Sequence, residues 1–300
     1  MFDNNVRVPK QPAFSRRSLL AGALAGSAAG CLTTAGIRQA LFGAESPPKL
    51  LIGSCTLNLD EAKKAGLDGV EVGVGGAADR LQIADPQVRQ QLKEKMKETG
   101  LVISSLMMGL LNSYPLASDP RAPAWLEQSI EAAKDLGAKV ILVAFFGKGS
   151  LLEGKEVKKA DVDVVVDRLK AAAPKAKQAG VILAIENTLS AQQNMEILQR
   201  IDSPAVRIYY DIYNLVGQGY DPPAEIRFLK DRIAMFHFKE GPNYLGEGKI
   251  DWKPVAAAIR EIGYEGWIVL ETSSPSKDRV ADARRNAQFV RKLFGIERAA

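Results

Sequence analysis

The sequence has one histidine and only two cysteines in 300 residues. With His237 as the lone imidazole, any site that needs several histidines is excluded. Cys31 and Cys55 lack the paired spacing of a zinc-binding module. If the N-terminal segment is removed, Cys55 stands alone and forms no intramolecular disulfide. Aromatic residues are scarce at 7%, yet hydrophobic residues reach 46% and charged residues 25%. That balance excludes disorder for the body of the chain and supplies enough apolar side chains for a substantial core. No run of about 18 to 20 strongly apolar residues occurs, so no membrane span is expected.

The chain carries 40 basic and 35 acidic residues, a net charge of +5. The excess is local. Arg7, Lys10, Arg16, Arg17 and Arg38 stand against Asp3 within residues 1–44, which leaves 35 basic against 34 acidic residues in the rest. A nearly neutral body has no concentrated Lys/Arg face, so nucleic acid is not an expected partner.

Residues 1–44 have a pattern of their own. Ser15-Arg16-Arg17-Ser18-Leu19-Leu20 precedes a small-residue apolar stretch from Ala21 to Gly36. The segment resembles a twin-arginine export signal, which implies a periplasmic or exported location. Ala28-Ala29-Gly30-Cys31 loosely resembles a lipoprotein cleavage box, which would put a lipid anchor at Cys31. The expected organisation is a signal and linker over 1–44 and a single domain over 45–300.

From Lys49 onward, short β-branched runs alternate with amphipathic stretches. Strands are expected at 50–57, 69–75, 101–109, 139–146, 181–188, 205–214, 234–240 and 266–273. The helices between them carry physical punctuation. Asp85-Pro86 sets a capping carboxylate before a proline whose missing N–H costs nothing, and Asp251 reads as another cap. Gly66, Gly100, Gly137, Gly180, Gly263 and Gly295 each follow a helical stretch, as expected where a left-handed residue closes a helix. Eight strand-helix units predict an α/β protein with a (β/α)8 TIM barrel, a doubly wound open sheet being the alternative.

In either architecture, function gathers where strands end at their C-termini. Glu186, Asp211, His237 and Glu271 stand at or near the ends of the fifth to eighth expected strands. Neighbouring strands lie about 4.8 Å apart, so these four side chains can reach one small volume. Three carboxylates crowded together resist ionising. A divalent cation resolves that conflict, and three oxygen donors with one imidazole suit Mn, Mg or Co better than a structural zinc. The blander readings are a satisfied core histidine and carboxylates that cap helices or pair with arginines.

These residues resemble the xylose isomerase-like barrels that include sugar phosphate isomerases and epimerases. The resemblance runs from about Lys49 to the C-terminus. It rests on IENT around Glu186, YYDIYN around Asp211, HFKE at His237, LGEGKIDW from Leu245 to Trp252 and GYEGWIVLE ending at Glu271. It implies a metal quartet of Glu186, Asp211, His237 and Glu271, a small-molecule sugar or keto-sugar substrate, and homo-oligomers of the dimer or tetramer kind. Asn214 stands where ketose 3-epimerases usually carry a histidine, three positions after the metal Asp. Lys239, Asn214 and Glu71 are expected substrate contacts. Gly246-Glu247-Gly248 is acidic, lacks a P-loop lysine, and reads as a turn.

The chemistry expected first is proton abstraction next to a sugar carbonyl, with Glu186 and Glu271 as catalytic groups on opposite faces of an enediolate. Return of the proton to the opposite face epimerises, and return to the adjacent carbon isomerises. Two alternatives use the same residues: a lyase eliminating the aglycone of a 3-keto-glycoside, and a non-catalytic secreted barrel that binds a sugar or a protein.

Overall fold

The computed structural model describes residues 49–296. The export signal expected over 1–44 and the lipidation site expected at Cys31 lie outside the described residues.

Eight parallel strands close into a barrel: β1 (Leu50–Ser54), β2 (Gly69–Gly73), β3 (Val102–Met108), β4 (Val140–Ala144), β5 (Ile182–Glu186), β6 (Val206–Asp211), β7 (Ile233–Phe238) and β8 (Gly266–Leu270). Closure is made by β1 on β8, which pair in parallel from Leu50 with Gly266 to Ser54 with Leu270. That pairing excludes the open sheet. All eight expected strands are present, and each is shorter than expected, chiefly because the chain leaves the ladder earlier at the barrel mouth.

Helices α1 (Leu59–Ala65), α2 (Pro86–Thr99), α3 (Ala122–Leu136), α4 (Lys159–Ala179) and α5 (Ala191–Ile201) follow β1 to β5. Beyond β6 come a short α6 (Ile212–Gly217) and α7 (Pro222–Leu229), then α8 (Trp252–Glu261) after β7 and α9 (Arg279–Phe294) after β8. The expected punctuation operates. Asp85 accepts from the Gln87 N–H at 2.8 Å with Pro86 in the first turn, and Asp251 accepts from the Lys253 N–H at 3.1 Å. Gly100 (φ 74°) and Gly180 (φ 67°) close α2 and α4 in the left-handed conformation that side chains resist.

One expectation is corrected here. The sixth strand does not run to Asn214: it stops at Asp211, whose Oδ1 accepts the Asn214 N–H at 2.7 Å and thereby starts α6. A capping carboxylate outcompeted the continuing apolar pattern of Ile212 and Tyr213.

Side chains alternate across each strand, so the barrel has two apolar layers. Val140, Leu142 and Ala144 of β4 point inward with Ala184, Tyr209, Met235 and Val269, whereas Ile141 and Val143 pack outward against the helices. In β7 the same parity sends Phe236 and Phe238 outward and sets His237 on the inner side with Met235. A small antiparallel hairpin, Leu152–Glu153 with Glu156–Val157, decorates the loop after β4. No helix among the described residues is long and apolar enough to cross a membrane.

Candidate metal centre and active site

Barrel closure brings the ends of β5 to β8 around one point. Glu186 is the last residue of β5 and Asp211 of β6, His237 is the penultimate residue of β7, and Glu271 follows β8. Each offers one ligand atom, and the four atoms lie within 4.8 Å of one another. His237 Nδ1 is the hub: Glu186 Oε1 lies 3.1 Å away, Glu271 Oε2 3.2 Å and Asp211 Oδ2 4.0 Å. Glu186, Asp211 and His237 are buried, whereas the Glu271 side chain is 36% exposed and forms the open edge of the group. All four residues expected from the strand ends therefore meet.

The donor set fits a divalent cation. Asp211 Oδ2 is buried and accepts no hydrogen bond; Lys239 Nζ lies 3.1 Å from it as an ion-pair partner, out of line for a hydrogen bond. Buried acceptors in native proteins are nearly always satisfied, so a carboxylate oxygen with an ion-pair partner but no hydrogen bond, beside two further carboxylates and a ring nitrogen, fits a site for additional positive charge. Three oxygens and one nitrogen match the hard or borderline ions of the first row and Mg.

Glu71 occupies a different place from the one expected. It lies in the middle of β2, fully buried, and both its oxygens are committed to protein. Oε2 accepts from Ser105 Oγ at 2.7 Å and from Tyr209 OH at 3.0 Å, while Oε1 lies 3.1 Å from His237 Nε2. Glu71 thus grips the imidazole from below, opposite the quartet, and its lone pairs are spent before any substrate hydroxyl could reach them. The tilted ring of Tyr209, 4.4 Å from the His237 ring, completes that floor. Cys55 also comes within reach of Glu71 and His237. Burial pushes its thiol well above the ordinary range, so it stays neutral and makes a poor ligand.

Lys239, just beyond β7, reaches back over the group. Its Nζ lies 2.8 Å from Glu271 Oε2, with the side chain partly exposed. Burial acts against its charge, but Asp211 and Glu271 outweigh it and hold the ammonium protonated far above neutrality. Asn214 sits in the first turn of α6, with its backbone N–H engaged by Asp211.

The carboxylates differ in proton affinity. Burial raises Glu186, and it raises Asp211 to about 7 with help from the charge of Glu186. Glu271 is buried enough to be pushed up as well, yet its hydrogen bonds to His237 and Lys239 and their charges take it down to about 2. For His237, burial disfavours the charged ring, while the neighbouring carboxylates Glu186 and Glu71 outweigh that and move it upward. The group is a dense anionic pocket that holds protons until a cation replaces them.

Residues 59–293 match the model of the xylose isomerase-like TIM barrel. The chain belongs to that family. This family member is 27% identical over 263 residues to L-ribulose-5-phosphate 3-epimerase of Escherichia coli (strain SMS-3-5), covering 80% of this chain and 90% of the relative. It is 27% identical over 186 residues to 2-epi-5-epi-valiolone 7-phosphate 2-epimerase of Actinoplanes sp. (strain ATCC 31044 / CBS 674.73 / SE50/110), covering 60% of this chain and 66% of that one. Among solved structures, apo 3-keto-D-glucoside 4-epimerase from E. coli superposes with a TM-score of 0.67 at 17% identity, over 82% of this chain and 99% of the other. That likeness is one of fold.

Proposed function

We propose that this barrel is a divalent-metal-dependent sugar isomerase or epimerase that moves a proton next to a carbonyl. One observation carries the reading: Glu186, Asp211 and Glu271 converge on Nδ1 of His237 at the C-terminal mouth of a closed barrel, with Glu271 at the open edge. Both curated relatives reported above are named epimerases, which supports the reaction class.

Glu186, Asp211, His237 and Glu271 would hold the cation, which supplies an electrophile that stabilises negative charge developing on a carbonyl oxygen. The chain's own residues do the rest. Glu271, ionised and at the open edge, is the base that takes the proton from the carbon beside the carbonyl. Glu186, buried on the strand three places away around the barrel and driven upward by that burial, is the group that holds a proton for return. Environments that separate the proton affinities of two carboxyl groups divide the acid and base roles between them. Lys239 at the rim holds a substrate oxygen in register by its ammonium. Glu71 keeps the His237 ring from turning.

The test joins metal content with isotope exchange. Purified protein should carry or take up near-stoichiometric Mn, Co or Mg, lose it in His237→Ala, and wash solvent deuterium into a ketose or a 3-keto-glycoside. Protein that takes up no metal and exchanges no deuterium on either substrate overturns the reading.

The twin-arginine segment adds a location to the proposal: export to the periplasm, checked by fractionating cells and replacing Arg16 and Arg17 with lysine.

A further inference from the structure

TIM barrels that bind phosphorylated substrates commonly hold the phosphate on the loops after strands seven and eight, using backbone N–H groups, small hydroxyls and a helix N-terminus. Those two loops are present here, and the donors that shape their concavities and helix starts face carboxylates, although the Thr272 and Ser273 hydroxyls beside Glu271 do not.

After β7, the carboxylate of Glu240 is buried and fills the concavity of the loop. It accepts from the Gly246 N–H at 2.6 Å, the Ile250 N–H at 2.9 Å and Trp252 Nε1 at 2.8 Å. Asp251 then takes the Lys253 N–H at the start of α8. After β8, Asp282 in the first turn of α9 accepts from Ser274 Oγ at 2.6 Å, Ser276 Oγ at 2.7 Å, the Ser276 N–H at 3.1 Å and Tyr244 OH at 2.7 Å. Asp278 caps the same helix, accepting from the Val280 and Ala281 N–H groups at 3.1 and 3.0 Å.

Each donor that shapes these two loops therefore faces a carboxylate of the protein itself. A phosphate dianion entering either loop meets no free cradle among these groups and is repelled by four fixed negative charges. Arginines on α9 are also engaged: Arg279 with the Thr56 carbonyl and Glu61, Arg284 with the Lys64 carbonyl, and Arg285 with Glu247 and the Tyr244 ring. Lys249 and Lys277 are exposed and offer charge without a shaped donor set.

We propose that the active site takes an unphosphorylated sugar or keto-sugar and discriminates against its phosphate ester; this rests on the isomerase or epimerase reading above. Glu240 and Asp282 act as built-in anions that rigidify the two loops and close the usual phosphate position.

Metal-loaded protein is assayed for solvent-deuterium exchange on two pairs, L-ribulose with L-ribulose 5-phosphate and D-fructose with D-fructose 6-phosphate. The expected result is at least tenfold higher kcat/KM for the unphosphorylated member of whichever pair reacts. Faster exchange on the ester overturns the substrate class and leaves the isomerase reading standing. Absence of exchange on all four, with metal bound, counts against the isomerase reading instead. The substrate class is then decided by calorimetry of L-ribulose and L-ribulose 5-phosphate on chelator-treated protein, where phosphate cannot simply ligate the ion. Ester binding no tighter than that of the free sugar supports the proposal, and tenfold tighter ester binding overturns it.

Discussion

His237 Nε2 lies 3.1 Å from Glu71 Oε1, although 166 positions separate the two residues in the chain. The contact spans the barrel interior from β7 to β2 and leaves Nδ1 as the nitrogen facing the three carboxylates. A carboxylate behind a ligating histidine fixes its ring and raises its basicity, and such partners are worth 10- to 100-fold in metal affinity.

Glu71→Ala should therefore weaken Mn binding by about 10- to 100-fold without touching a ligand atom. It should also destabilise the fold by about 1–3 kcal/mol, because Ser105 Oγ and Tyr209 OH lose a buried acceptor. Isothermal titration with Mn and a urea melt read the two effects separately. An unchanged Mn affinity would show that the ring is held by other contacts.

Glu271→Gln should keep the fold and lower kcat by about 10²- to 10⁴-fold, the usual cost of losing a general acid or base. The side chain is at the open edge, so the core does not feel the change. Near-normal turnover of a reacting ketose in this variant would remove Glu271 from the proton-transfer role.

Cation binding should weaken as pH falls. Burial lifts Asp211 to about 7, and a cation needs its ionised form, so below about pH 7 each binding event must expel a proton. Mn affinity measured from pH 8 down to pH 5.5 should fall throughout, because the proton on His237, held above the ordinary imidazole range, must also leave, and most steeply below 7 where Asp211 adds its own. A flat profile would contradict a protonated Asp211 in the metal-free protein.

Asp282 predicts the acid limb of stability. Burial works against its charge, but hydrogen bonds from Ser274, Ser276 and Tyr244 lower it to about 2. A carboxyl depressed in the folded state adds stability above its unfolded value, about 3.9, and that contribution is lost as pH falls through about 2. In urea melts between pH 4.5 and 2, the wild-type midpoint should fall more steeply than that of Asp282→Asn. Parallel curves would show that the network contributes nothing through ionisation.

The repeat of strand and helix was legible in the sequence because it rests on local physics: β-branched runs, capping carboxylates such as Asp85 and Asp251, and glycines that close helices. The quartet was legible for a related reason. Glu186, Asp211 and Glu271 each interrupt an apolar run just where a strand meets the barrel mouth, and His237 is the lone imidazole. Asn214 was misplaced in a strand because a single side-chain cap at Asp211 decides between strand and helix there, and apolar patterning does not register it.

What tertiary structure alone decided is which groups lie across the barrel from each other. Glu71 reads in sequence as an expected substrate contact, and only closure of β1 on β8 brings β2 within reach of β7 and makes it the keeper of His237. The same holds for Glu240 and Asp282, whose neighbours in sequence give no hint that they fill the loops where an anion would otherwise sit. Periodicity along a chain reports which way a side chain points, whereas its partner depends on the register and closure of strands far apart in sequence.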